Sequence, residues 1–269
     1  MPSVNSHIGY RSHFSIGESV LTPADIVKAV KSAGETRFAV CDTMSVSSMI
    51  ELTKKAEKEG LKASVGIRFR MIDSVEKSKG ANRETALLKA FAKDAIGQEQ
   101  LYELLTKAYQ EDHFYMVPHL LWDDVRAITP GHLVWTTGDI DGLFSTPEYH
   151  SHLRTMLDVI PNGDIFVELT PINTPFFDRM NAEAIQAINR HSLEPLVTTP
   201  ALYEQGEFEP FFVSMAIQKR SVIEKAFTVY APSYETAYPT VPGDLLPNVS
   251  AAKQRLQARY GDGHGDIWR

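Results

Sequence analysis

Short apolar runs alternate along the chain with segments whose apolar residues recur every three or four positions. Thr22-Pro23-Ala24-Asp25 opens the first helical segment. Thr22 is an N-cap residue, Pro23 suits the first helical position, and Asp25 sits near the positive end of the helix dipole. Ile26, Val27, Val30 and Ala33 form its apolar face, and Gly34 stops it. Phe38-Ala39-Val40-Cys41 reads as a buried strand. A helix over Ser45 to Glu59 follows, with Met49, Ile50, Leu52 and Ala56 inward, and then a strand over Lys62 to Ile67. This is a βαβ rhythm, which gives parallel strands joined by right-handed crossovers.

The same spacing predicts strands over Ala86–Phe91, His132–Thr136, Ile165–Leu169 and Pro195–Thr198. It predicts helices over Gln98–Tyr109, Thr146–Ile160, Phe177–Asn189 and Phe208–Lys219. Ile72 to Arg83 is polar and mixed in charge and reads as a surface loop. The chain after Tyr230 is rich in Pro and Gly, with a short helix near Ser250 to Tyr260. About seven βα units in 269 residues predict an α/β barrel of mostly parallel strands over residues 1–245, followed by a tail over 246–269. A doubly wound open sheet is the alternative.

Composition narrows the classes. An apolar fraction of 43% and a charged fraction of 23% are those of a globular protein and exclude disorder over most of the chain. No apolar run approaches the roughly 18 residues of a membrane span, and the N-terminus lacks a signal-peptide pattern. A single cysteine, Cys41, excludes a disulfide framework and a Cys-rich zinc site, which points to a reducing, cytoplasmic home. The net charge of −7 argues against gripping nucleic acid by charge, so any such contact is expected to be weak or indirect.

In a parallel barrel the chemistry comes from the carboxyl ends of strands. Here those ends read Cys41-Asp42-Thr43, Gly66-Ile67-Arg68, Gly138-Asp139-Ile140-Asp141, Glu168-Leu169-Thr170 and Thr198-Thr199-Pro200. They offer acids, one arginine and hydroxyls, but no histidine, a poor set for catalysis. Of nine histidines, only His150 and His152 form an H-x-H pair. Residues two apart on a helix do not share a face, so both read as solvated. No H-E-x-x-H, Walker A loop or G-x-S-x-G is present. The glycine-rich stretch Gly261 to Asp266 has no strand before it and reads as tail. Trp122, Trp135, Tyr102, Tyr109 and Tyr115 read as packing residues, and Lys219, Arg220 and Lys225 as a solvated helix end.

The order of segments resembles a known family. Ser12-His13-Phe14-Ser15-Ile16-Gly17-Glu18 leads into the capped helix, followed by Ala39-Val40-Cys41-Asp42-Thr43 and by Leu61 to Arg68. This is similar to the opening of the PHP (polymerase and histidinol phosphatase) domain of bacterial DNA polymerase III alpha subunits. There the pattern is H-x-H-x-H-S-x-[YF]-S, a helix, L-T-D-H, a helix, and I-G-x-E. Ala92-Lys93-Asp94 resembles that family's A-K-N segment, Phe166 to Leu169 its F-Y-L-E-L strand, and Leu196 to Thr199 its V-A-T-N-D strand. The helix over Phe211 to Lys219 resembles the one ending in I-Q-T-G. The resemblance implies a distorted (β/α)7 TIM-like barrel of the PHP type. Nothing in the chain resembles the polymerase palm or fingers.

Active PHP domains bind two or three metal ions through His, Asp, Glu and Cys. Carried across by the resemblance, the surviving ligand positions are His7, Glu18, Asp42 and Asp139, the last standing where the family often has Cys. Gly9 and Arg11 replace the second and third histidines of the opening motif. Thr43 replaces the histidine of T-D-H, Arg68 the glutamate of I-G-x-E, and Leu87 the histidine before A-K-N. Pro200 and Leu202 replace the closing D-x-H. The resemblance therefore implies no metal cofactor and no catalytic residue. Its alternative is a metal-dependent phosphoesterase or pyrophosphatase with a rebuilt zinc, manganese or iron site. The expected role is a non-catalytic accessory or interaction module of DNA replication, with a replicative polymerase or a proofreading exonuclease subunit as partner. A chain of this size suggests a split, phage or mobile-element gene, or an excised polymerase N-terminus. Arg68 is expected to point into the barrel mouth and pair with Asp42 or Asp139 as a substitute for the lost cation, with Arg11 as second candidate.

Overall fold

A computed structural model of the chain describes residues 6–78, 85–147, 149–170, 172, 174–204 and 206–218. Strand β1 (Ser6–Tyr10) leads through a turn-rich loop to helix α1 (Pro23–Ser32). The start of α1 is set by a capping box. Thr22 accepts the Asp25 N–H at 3.2 Å, and the Asp25 carboxylate accepts the Thr22 N–H at 2.8 Å. β2 (Arg37–Thr43), α2 (Met49–Lys58) and β3 (Lys62–Ile72) complete the βαβ unit. Helix α2 begins four residues later than the spacing suggests, because Ser45 and Ser47 bond to each other in a turn. Ile50 faces solvent instead of the core, on the side of the helix away from buried Leu52 and Ala56.

The remaining elements are α3 (Val75–Ser78), β4 (Ala86–Ala92), α4 (Ala95–Ala108), β5 (Phe114–Tyr115), β6 (Val117–Pro118) and β7 (Leu120–Leu121). After them come α5 (Trp122–Ala127), β8 (Leu133–Thr136), α6 (Tyr149–Val159), β9 (Ile165–Leu169), α7 (Pro175–His191), β10 (Glu194–Val197) and α8 (Phe208–Gln218).

The main sheet runs β1-β2-β3-β4-β8-β9-β10, with β7 beside the end of β3. It is mixed. The pairs β1–β2, β2–β3, β8–β9 and β9–β10 are parallel, whereas β4 is antiparallel to both of its neighbours. β3 continues to Ile72, beyond the strand expected from sequence, and only the single turn of α3 is described before β4. A parallel return needs a crossover, usually a helix of several turns. Here the chain doubles back beside itself instead. The sheet curls, and the stretch after β10 reaches β1, where Tyr10 bridges to Ala201 and the Ala201 N–H bonds the Gly9 carbonyl at 2.9 Å.

Among the described residues two apolar bodies support the sheet. Ile26, Val30, Leu52 and Ala56 pack against Tyr10, Phe38 and Val40. The larger body gathers Ile67, Phe69, Leu88, Trp135, Val167, Phe177 and Phe211. Trp122 and Trp135 are buried as expected, but Tyr109 and Tyr115 lie at the surface. Tyr109 keeps one tie, donating from its hydroxyl to the Met44 carbonyl at 2.9 Å. His152 corrects the reading of two solvated histidines: it is buried and accepts the Trp122 indole N–H at 3.2 Å, while His150 is exposed. The expected tail, its helix, the glycine-rich stretch and the Lys219, Arg220 and Lys225 cluster lie outside the described residues.

The turn after β8 is held close to β4. Gly138 has φ 73°, and a Cβ there would stand 2.2 Å from the Leu87 carbonyl oxygen. Both the left-handed backbone and the contact exclude a side chain. Gly138→Ala is expected to destabilise the fold by about 1–3 kcal/mol from backbone conformation alone, measured by urea unfolding.

Candidate functional site

The strand register sets out one row of side chains at the level of the β2 carboxyl end. Thr43 pairs with Arg68, Arg68 with Lys89, and Lys89 with Thr136. Side chains at paired positions leave the sheet on the same face. Arg68 and Lys89 thus project together into the curl, and both are almost wholly buried.

Each cation meets carboxylates. The Arg68 Nη1 lies 3.0 Å from Glu18 Oε2 and 3.4 Å from Thr43 Oγ1. Its Nη2 donates to the Ile140 carbonyl and lies 3.6 Å from Asp139 Oδ1. Arg11 donates to the same Asp139 oxygen and stands 3.8 Å from Glu18. The Lys89 Nζ lies 3.0 Å from Asp139 Oδ2 and 2.8 Å from Glu168 Oε2. The other Glu168 oxygen accepts the Thr136 hydroxyl. Among the described residues three cations therefore face three carboxylates, and of the six only Glu18 reaches partway to the surface.

Asp42 belongs to a different arrangement. Its Oδ1 accepts the Ser12 N–H at 2.7 Å and the Ser15 hydroxyl at 2.9 Å. Its Oδ2 accepts the hydroxyls of Ser12 at 2.7 Å and Ser48 at 2.6 Å. Four neutral donors hold this buried carboxylate, and Arg68 is not among them. Neutral hydrogen bonds satisfy a buried acid without a counter-ion when they are numerous enough. The serines also tie the loop after β1 to the end of β2, which places Arg11 and Glu18 over the curl.

Burial and charge act against each other at these groups. Desolvation opposes ionisation of Asp139, but Arg11, Lys89 and Arg68 outweigh it and hold the carboxyl well below the usual range. Desolvation likewise opposes the Lys89 ammonium, and Asp139 and Glu168 outweigh it, so that lysine is held above its ordinary value. Cys41, wholly buried, has its thiol pushed up by burial and is protected from the thiolate chemistry of a reactive cysteine.

The sequence profile of the PHP domain matches residues 7–171, more than half of the chain. The chain belongs to the PHP domain family. It is 27% identical over 209 residues to the DNA polymerase III subunit alpha of Yersinia pestis, covering 72% of this chain and 18% of that protein. It is 24% identical over 222 residues to an error-prone DNA polymerase of Cutibacterium acnes, covering 80% and 20%. This PHP chain thus spans about a fifth of the length of the curated relatives it matches. A solved amidohydrolase from Chromobacterium violaceum, with bound sulfate and no metal, is 11% identical, with a TM-score of 0.47 over 74% of this chain and 88% of that one.

The residues at the mouth of this PHP domain do not fit the metal cluster implied by the family. Borderline and hard cations need several free N and O donors converging on one point. Glu18, Asp139 and Glu168 are each in contact with a guanidinium or ammonium group, and Asp42 is taken up by hydroxyls. Among the described residues no group of three or more His, Cys, Asp or Glu side chains is arranged to hold a metal. His7 lies on β1 opposite Phe38, and its side chain is outside the described residues.

Lys89 is absent from the strand ends read from sequence, and Glu168 stands there as one acid among several with no role assigned. Lys89 is the one charged residue in Ala86-Leu87-Leu88-Lys89-Ala90-Phe91, an otherwise apolar strand. A lone lysine inside a buried strand was the available signal, since lysines are almost never fully buried unless paired.

Arg68→Ala removes the cation nearest Glu18, which keeps the Thr43 hydroxyl and Arg11, and takes one of three cations from Asp139. One buried carboxylate charge is then in excess, and the expected loss is about 3–5 kcal/mol of unfolding free energy in chemical denaturation. The pH dependence follows from the two shifted groups. Asp139 has a depressed folded-state pKa, so its stabilisation is present above its unfolded value of about 3.9 and is lost as the pH falls through the folded value. Lys89 has a raised one, so its stabilisation is complete below about 10.4 and is lost as the pH rises through the folded value. Unfolding midpoints measured across pH are expected to give a neutral plateau with its shoulders set by these groups.

Proposed function

We propose that this PHP domain is non-catalytic and acts in the cytoplasm as an accessory or protein-binding module of DNA replication. The observation that carries the reading is the set of three cations and three carboxylates that pair, among the described residues, at the mouth where the family's metal ligands would be. Metal-assisted phosphoester hydrolysis needs a cation with an open position for water. Arg68 and Lys89 offer fixed charge but no such position. The relationship to polymerase III alpha supports the replication setting and a polymerase or exonuclease subunit as partner. The curled sheet with its Tyr10–Ala201 bridge supports a distorted TIM-like barrel of the PHP type. No described helix is long and apolar enough to cross a membrane.

The test is made on the purified full chain. Elemental analysis is expected to find only trace metal. Hydrolysis of a model phosphodiester is expected to stay at background with and without added Mn2+. Tagged protein is expected to capture a polymerase or exonuclease subunit from native lysate. Two or more bound metal ions per chain with metal-dependent turnover would overturn the reading in favour of a phosphoesterase. Capture of neither subunit would overturn the replication role.

A further inference from the structure

We infer that Lys89 is a tethered counter-cation, supplying through Nζ the single positive charge that Asp139 and Glu168 require where a metal-bearing relative would use a free ion. This rests on the reading of the mouth as metal-free and adds which residue closes its charge balance. Arg11 and Arg68 both approach Asp139 from its Oδ1 side. Among the described residues Lys89 links the two acids, at 3.0 Å from Asp139 Oδ2 and 2.8 Å from Glu168 Oε2. Among the described residues the other side-chain partner of Glu168 is the neutral Thr136 hydroxyl.

The charge count over the ion-paired groups points to the kind of cation that belongs there. Among the described residues in this ion-pair set, removal of Lys89 leaves Arg11 and Arg68 against Glu18, Asp139 and Glu168, a net charge of −1, with Asp42 held apart by its neutral donors. A compact monovalent ion restores neutrality, whereas a divalent ion overshoots. An ammonium is a compact point charge with rotatable donors, and it can sit between two carboxylates that a planar guanidinium would have to meet edge-on. Lys89 is 1% exposed, so water offers the acids little replacement once it is gone.

The experiment uses the full chain with Lys89→Ala and Lys89→Met. Truncation to alanine removes three methylenes and the ammonium, the atoms of propylammonium. Lys89→Ala is expected to lower the unfolding midpoint by roughly 6–20 °C. Added propylammonium chloride is expected to recover most of that loss. Tetramethylammonium chloride at equal ionic strength, which has no N–H to donate, is expected to recover none of it, and MnCl2 likewise. Lys89→Met keeps the bulk and loses the charge, and is expected to stay destabilised and unresponsive to every added cation. The wild-type midpoint should not move with any of these salts. If Lys89→Ala does not fold, the readout becomes refolding yield with and without propylammonium. The inference is overturned if Lys89→Met is as stable as wild type, if propylammonium gives no recovery, or if Mn2+ recovers Lys89→Ala better than propylammonium does. All of these are stability readouts. They stand apart from the turnover and capture measurements that decide the proposed function.

Discussion

Ionised groups taken out of water must neutralise one another at short range, and this constraint organises the mouth of the molecule. Asp139 is wholly buried and is approached by Arg11, Arg68 and Lys89 from three separate segments of the chain. Each segment has to arrive with its cation at the right height. The serine cradle around Asp42 fixes the loop that carries Arg11 and Glu18. The β2–β3–β4 register fixes Arg68 beside Lys89, and the close approach of Gly138 to β4 fixes Asp139. The geometry of the strands and the electrostatics of the site are one problem with a shared solution.

The same set of residues shows how fixed side-chain charges can hold the strand ends together. Strand ends that carry several acids would repel each other, and here guanidinium and ammonium groups link them. The remaining acid, Asp42, shows the other available solution, in which several neutral donors share the load of one carboxylate.

Much of the fold was legible because its signals are local. The Thr22 cap, the apolar face of α1 and the apolar strands around Val40, Trp135 and Val167 all follow from residues close together in sequence. The family relationship was legible from motif order, and Arg68 and Arg11 stood out because they replaced expected ligands. The direction of β4 was not legible, since strand composition is the same read either way. Its reversal hid Lys89. On an antiparallel strand the residue level with the mouth lies in the strand's interior, so an inspection of carboxyl ends passes over it. The partners of Asp42 were hidden for a different reason. Serines are common in loops, and only the folded chain shows that Ser12, Ser15 and Ser48 converge.

The seam between Tyr10 and Ala201 has a consequence for how the molecule is made. Residues almost two hundred positions apart meet there, and a contact of that separation forms late because a long loop must close first. The charges follow the same order. Arg11, Arg68 and Lys89 leave the ribosome well before Asp139 and Glu168, so the nascent chain carries three cations with two of their three carboxylates still to come. An N-terminal half waiting in that state has no low-energy way to bury its own strand ends. The full ion-pair set therefore cannot assemble until the chain has passed β9.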